Sequence, residues 1–250
     1  MRAGDAGAAG DMRPDPERLS VIRRRLLEWG ERNRRAFPWR ETRDPWRLLL
    51  AEVLLHRTRA DQVAPVYQVL VGRYPVPAMM ARARLRKLES AVRSLGLRWR
   101  VPLMREMARH IVRQHGGQVP ADREALLALP GVSDYIAGAV RALAFQQPDP
   151  VLDTNTVRVL GRLFGLPVRD SSRRSRRFRD LMALLMAGEW PGNLLLSILD
   201  LAAVLCRPRD PACPRCPLRE LCAYGRAYGT EERAAVGTGA GGAGPPGWPV

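Results

Sequence analysis

The chain is almost without lysine: of its 41 basic residues, Lys87 alone is not an arginine. Chemistry that needs an amine nucleophile therefore has one candidate, and it stands in the charged segment RLRKLES, where a solvated side chain is the simplest reading. Nor does the N-terminus MRAGDAGAAGDMRPDPE hold the apolar run of a secretory signal. The longest apolar stretch of the C-terminal half, Leu194 to Leu205, is interrupted by Asp200 and is too short to span a bilayer. A cytoplasmic protein with no membrane partner is expected. Period-two alternation is scarce and no fixed-period repeat occurs, which argues against sheets and solenoids. Cysteine is confined to four residues within 206–222, a distribution that suits metal or cluster ligation better than a disulfide framework.

What the chain has is charge of one sign and helical periodicity. Lys+Arg number 41 against 25 Asp+Glu, a net charge of +16 over 250 residues, which points to a polyanionic partner, nucleic acid before a membrane surface. In 16–36, Leu19, Ile22, Leu26 and Trp29 recur at spacings of three and four with arginines opposite. Further helices are expected over 45–58, 61–73, 81–94, 101–115, 122–129, 134–145, 154–164, 173–187 and 192–205, separated by Pro and Gly signals. The fold class is all-α. Residues 1–14 and 229–250, rich in Gly, Ala and Pro, read as disordered tails.

The cysteines follow the pattern Cys206-x6-Cys213-x2-Cys216-x5-Cys222. Four thiolates in a short loop after a helix suit one cubane cluster or one tetrahedral ion. Zinc usually takes two CxxC-like pairs and only Cys213 and Cys216 make one, which favours [4Fe-4S]. Between the first two ligands, Arg207 and Arg209 are candidates for phosphate contacts, or else solvated loop charges.

Residues 126–140, LLALPGVSDYIAGAV, read as a helix end, a Pro-Gly turn and a second helix beginning near Asp134. Such a hairpin, with Gly131, Val132 and Ser133 at its turn, aims backbone N–H groups at a phosphate without reading bases. An extended linker then leads to Asp153-Thr154-Asn155 at the start of the next helix. Asp153 suits an N-cap. Capping is compatible with catalysis, since N–H donors favour a charged carboxylate and that charge stabilises an oxocarbenium-like sugar.

Taken together, LPGVSDYIAGAV, VLDTNTVRVLGRLFG and the cysteine pattern resemble the endonuclease III superfamily of helix-hairpin-helix DNA glycosylases that carry a [4Fe-4S] cluster. The resemblance spans roughly 20–224. It implies a six-helix barrel domain (41–149) and a cluster domain assembled from 15–40 and 150–225, with a DNA cleft between them. It also implies a monomer that acts on double-stranded DNA near the nucleoid and flips a mismatched or damaged base into a pocket. Bifunctional branches carry a lysine at the hairpin position matched here by Tyr135, so hydrolysis without strand cleavage is implied.

Tyrosine at that position, with RDPWRLLLAEVLLHRTRADQV, is similar to the mismatch-specific thymine-DNA glycosylase branch. The adenine-mismatch branch shares a glutamate matching Glu52. Its Gly-Tyr-Tyr stretch is replaced by Gly96-Leu97-Arg98-Trp99, and the short segment after Cys222 leaves no room for that branch's extra domain. By resemblance, Asp153, Glu52 and Tyr135 are catalytic, Tyr135 by stacking on or bonding to the flipped base unless it only packs between helices, and Asn155 orients water or caps the helix. Glu52 lies in the apolar run LLLAEVLL, so it is either a buried carboxyl of raised pKa facing the base or the partner of a buried arginine. His56 and Arg57 match a plug that fills the space left by the flipped base, with arginine toward the orphaned guanine. Ser133 departs from the usual LPGVG. If its position needs a positive φ, the turn is strained by roughly 1–2 kcal/mol.

Overall fold

The computed structural model describes residues 14–56 and 58–228. Apart from Pro14, both expected tails lie outside them, as does Arg57. The described residues contain no strand, in agreement with the all-α reading; their helices include α1 (Pro16–Asn33), α2 (Pro45–Leu55), α3 (Ala60–Arg73), α4 (Pro77–Ala81), α5 (Leu85–Val92), α6 (Val101–His115), α7 (Arg123–Leu127), α8 (Asp134–Phe145), α9 (Thr154–Phe164), α10 (Arg176–Met186) and α11 (Pro191–Val204), and residues 223–228 are helical as well.

Helix starts follow local chemistry. Asp15, Asp44, Asp122, Ser133 and Asp153 each accept a backbone N–H of the first turn of their helix, and proline opens α1, α2, α4, α6 and α11. Four expected boundaries need correction. The first helix stops at Asn33, because the backbone of Arg34 is extended (φ −61°, ψ 126°) and the next N–H, of Arg35, donates to Asp200 Oδ2 at 3.2 Å. The second stops at Leu55, where His56 turns extended. The segment expected as one helix over 81–94 is broken after Ala81 and resumes at Leu85. A 3-10 turn, Asp170–Arg174, precedes α10.

Two apolar clusters result. One gathers Leu49, Leu50, Leu54, Leu70, Met107 and Ile111 with Trp39 and Trp46; the other gathers Leu26, Leu160, Met182, Leu195 and Ile198. Helix α8 serves both, packing against α2 and α11, so Ile136 and Val140 belong to the first cluster and Ala139 and Leu143 to the second. Helices α1 and α11 cross closely because Gly30 has no side chain: a Cβ there would sit 1.9 Å from Ser197 Oγ. The start of α8 is thereby held where the two clusters meet, and Tyr135 packs against both.

Candidate active site

Where the clusters meet, a cavity of about 320 Å3 is lined by Glu52, Tyr135, Asp153 and Asn155, together with Arg40 and Gln146. Each of the first four arrives from a different constraint. Glu52 is on α2 among leucines and is 4% exposed, and its Oε2 has no hydrogen-bond partner. Burial, reinforced by the charge of Asp153 and opposed by Arg40, pushes its pKa from 4.5 up to about 7. Arg40, the cation whose charge opposes that rise, is engaged with Asp200 instead.

Arg40 donates to both carboxylate oxygens of Asp200, one through Nη2 at 2.8 Å, and Arg35 Nε joins the same carboxylate at 2.6 Å. Asp200, 1% exposed, thus receives two guanidinium groups in the middle of an apolar helix. The Nε of Arg40 is left buried without a partner, as is Gln146 Oε1. Three orphaned polar atoms, one donor and two acceptors, therefore belong to residues lining the same cavity. Buried polar atoms carry a cost when unpaired, so a polar ligand fits there better than an apolar one.

Asp153 caps α9. Its Oδ1 accepts from Thr156 N at 2.7 Å, and its backbone N–H donates to Thr156 Oγ1 at 2.8 Å, a reciprocal capping box. The other oxygen, Oδ2, accepts from Asn155 Nδ2 at 3.0 Å. Asn155 Oδ1 in turn accepts from Arg158 Nη2 at 3.1 Å, and Arg158 also donates to the carbonyls of Cys206 and Ala202. Asn155 thus contacts the aspartate directly, although sequence left open whether it capped the helix or served the site. Tyr135 has its phenol pKa driven well above 10 by burial and by the charges of Glu52 and Asp153, so it remains a neutral hydroxyl. The sole lysine is exposed on α5 and does not line the cavity.

The hairpin is built as its sequence suggested, with one difference. Gly131 holds the left-handed conformation (φ 81°), whereas Ser133 is extended (φ −93°) and caps α8 through Oγ, 3.3 Å from Ile136 N. The condition for strain at Ser133 is therefore not met: the turn has its positive φ two residues earlier, at Gly131. Val132 is half-buried against the first cluster. His56 is exposed just beyond α2. Arg100 donates to the Val53 carbonyl at 2.8 Å, and its guanidinium lies 4.7 Å from the ring centre of Trp99, which is 63% exposed.

The cysteine loop follows α11. Cys206, Cys216 and Cys222 are half-buried and Cys213 is buried. Burial and the neighbouring thiols raise Cys213 to about 11, and burial raises Cys216 to about 12. Arg162 Nη1 lies 3.6 Å from Cys206 Sγ, and Gly225 N donates to Cys222 Sγ at 3.3 Å. Among the described residues, no three His, Cys, Asp or Glu side chains converge as a single-ion site. Arg209 is exposed, while Arg207 directs Nε and Nη2 to the carbonyl of Asp210, bracing its own loop. No helix among the described residues is long and apolar enough to cross a membrane.

Local sequence missed Arg40, Arg158 and Gln146. The lone Asp200 in an apolar helix was the available signal for Arg40, since a buried carboxylate requires a cation.

Residues 50–183 match the family profile of the HhH-GPD superfamily base excision DNA repair proteins. The chain is 37% identical over 224 residues to a thymine-DNA glycosylase of Aeropyrum pernix, a match that covers 84% of this chain and 96% of that protein. It is 36% identical over 201 residues to an adenine DNA glycosylase of Mycobacterium tuberculosis, covering 80% of this chain and 66% of that one. Among solved structures, that of a thermostable thymine-DNA glycosylase superposes with a TM-score of 0.77 at 32% identity, covering 84% of this chain and 97% of that one.

Proposed function

The chain belongs to the HhH-GPD superfamily of base excision DNA repair proteins, and from that membership we propose that it is a monofunctional DNA glycosylase, removing thymine or uracil mispaired with guanine and leaving an abasic site. The observation that carries the reading is the cavity in which an acid that is protonated up to about pH 7, a neutral phenol and a helix-capping carboxylate meet without an amine.

The hairpin turn at Gly131, Val132 and Ser133 takes the duplex backbone, with Arg209 and the Arg207-braced loop contributing charge. His56 and Arg57 follow α2 and fill the vacated stack. A G·T or G·U pair is cheap to open, and the extruded pyrimidine enters the cavity. Its carbonyls and N–H find the orphaned groups there, Arg40 Nε as donor and Gln146 Oε1 as acceptor. Glu52 hydrogen-bonds the base edge and supplies the proton, while Tyr135 holds the ring at the junction.

As the C1′–N1 bond breaks, its electron pair leaves with the base, which takes the proton from Glu52. The Asp153 carboxylate faces the positive sugar, and Asn155 keeps it turned that way. Water then bonds to C1′ and yields a proton to Asp153. With no lysine at the cavity, no covalent sugar adduct forms and the strand stays intact.

The four cysteines fit a [4Fe-4S] cluster. Crowded thiols that resist ionising on their own become ligands when cationic iron offsets their charge, and Arg162 and Gly225 N–H already face two of the sulfurs. The cluster would order the 206–222 loop of a domain formed by 15–40 and 150–225, against a barrel of 41–149. We place the protein as a monomer in the compartment that holds the DNA.

The test is a panel of duplexes with G·T, G·U, adenine opposite oxidised guanine, and oxidised pyrimidines. Excision of thymine and uracil opposite guanine is expected, with strand breaks only after alkali. Release of adenine alone would overturn the substrate assignment.

A further inference from the structure

Residues 169–180 carry six arginines against two aspartates. They form the 3-10 turn Asp170–Arg174 and the first turn of α10. The turn is held in place from beneath: Ser172 is 5% exposed and its Oγ accepts from Arg169 N at 2.9 Å, and Phe178 is buried in the second cluster. Arg169, Arg173, Arg174 and Arg176 are exposed above it. Four guanidinium groups thus stand on a backbone that is already ordered, which lowers the entropic cost of engaging an anion. Ser175, at the N-cap position of this eleven-residue helix, makes no side-chain cap.

Position gives this cluster its meaning. Arg179, one turn on from Arg176, lies 3.2 Å from Asp134, the first residue of α8, and Asp134 also pairs with Arg123. The arginine segment therefore abuts the mouth of the hairpin. Three carboxylates are close by: Asp134, shared between two arginines; Asp180, 3.7 Å from Arg176; and Asp170 at the start of the turn. They leave the strip, which touches the start of α8 through Arg179 and Asp134, with an excess of positive charge.

We infer that the Asp170–Arg174 turn and the first turn of α10 are a second binding element for the duplex phosphate backbone, continuing the hairpin's track across the Arg179–Asp134 contact. The identity of the polyanion rests on the glycosylase reading; the binding itself does not depend on excision. Neither Arg173, Arg174 nor Arg176 lines the catalytic cavity.

The experiment replaces all three by glutamine in the full chain and measures anisotropy of a labelled, undamaged duplex across a salt series. A second variant, Arg73→Gln with Arg82→Gln and Arg86→Gln, makes the same charge change at exposed positions elsewhere. Each lost phosphate contact lowers the slope of log affinity against log salt by about 0.9. The strip variant is expected to lose a slope of about 2 to 3 and about tenfold or more in affinity near 0.1 M salt, with single-turnover excision at saturating enzyme unchanged. The second variant should move neither as far. An unchanged slope, or equal losses in both variants, overturns the inference and makes the strip a solvated face. If even the unmodified chain excises no base, the glycosylase reading falls, while the binding arm still decides the strip.

Discussion

The amide of Asn155 donates to Asp153 Oδ2 at 3.0 Å while the N–H of Thr156 occupies Oδ1, so both oxygens of the carboxylate are fixed before any substrate arrives. Two roles, cap and catalyst, therefore rest on one side chain, and substitutions can pull them apart. Asparagine caps as well as aspartate, so Asp153→Asn should leave the melting temperature nearly unchanged while single-turnover excision is abolished and duplex binding persists. Asp153→Ala should lose about 1 kcal/mol of stability in addition. Appreciable excision by Asp153→Asn would remove the carboxylate from the chemistry.

Asn155 itself is predicted to act through orientation. Asn155→Ala frees Oδ2 of Asp153 and leaves Arg158 without its side-chain acceptor, although Arg158 keeps the carbonyls of Cys206 and Ala202. The expected loss in the single-turnover rate is about 10- to 100-fold. Affinity for the mismatched duplex should change little. A loss confined to affinity would instead make Asn155 a DNA contact.

Glu52 predicts that stability and excision rate both fall as pH rises. Its pKa is about 7 in the folded chain against 4.5 for the free side chain, so the native state holds the proton more tightly. The contribution is fully present below pH 4.5 and is lost as pH rises through 7, amounting to about 3 kcal/mol at most. Glu52→Gln, which cannot ionise, should therefore melt higher than the unmodified protein at pH 8 and alike at pH 4. Excision by the unmodified chain should fall above about pH 7, and the Gln variant should be slow with that limb of the profile absent. Equal melting curves at pH 8 would mean that the carboxyl is already neutralised by a cation.

These residues also show what sequence carries and what it does not. Helix starts were legible because an Asp or Ser cap and a proline act within four residues, and the capping role of Asp153 was legible for the same reason. The union of Arg40 with Asp200 spans 160 positions, and that of Arg158 with the Cys206 carbonyl spans 48. Long flexible side chains leave no periodic trace of where their heads end. Ser133 failed differently. Its residue type suggested a missing glycine, but serine is also a cap, and only the backbone angles distinguish the two.

That distinction is itself testable. Gly131 holds φ 81° and Ser133 caps α8, so Gly131→Ala should cost roughly 1–2 kcal/mol and Ser133→Ala about 1 kcal/mol, while Ser133→Gly costs only a few tenths. Urea denaturation at fixed pH separates them. If Ser133→Gly stabilised the protein instead, the turn would need its left-handed residue at 133.

Tyr135 projects into the cavity that holds Asp153, from the first turn of α8, and the one lysine of the chain is exposed on α5. A lysine at 135 would sit among groups that already bury the phenol, and burial lowers an ammonium pKa toward the neutral, nucleophilic form. Borohydride should therefore trap no complex between the unmodified protein and a mismatched duplex, whereas Tyr135→Lys should form one and nick the strand, at an excision rate below that of the unmodified chain. The neighbouring carboxylates oppose the shift by favouring the ammonium, so trapping should strengthen as pH rises from 7 to 9. Trapping by the unmodified chain would place an amine at the sugar and refute the monofunctional assignment. Failure of a folded Tyr135→Lys variant to trap at any pH would show that position 135 does not reach C1′.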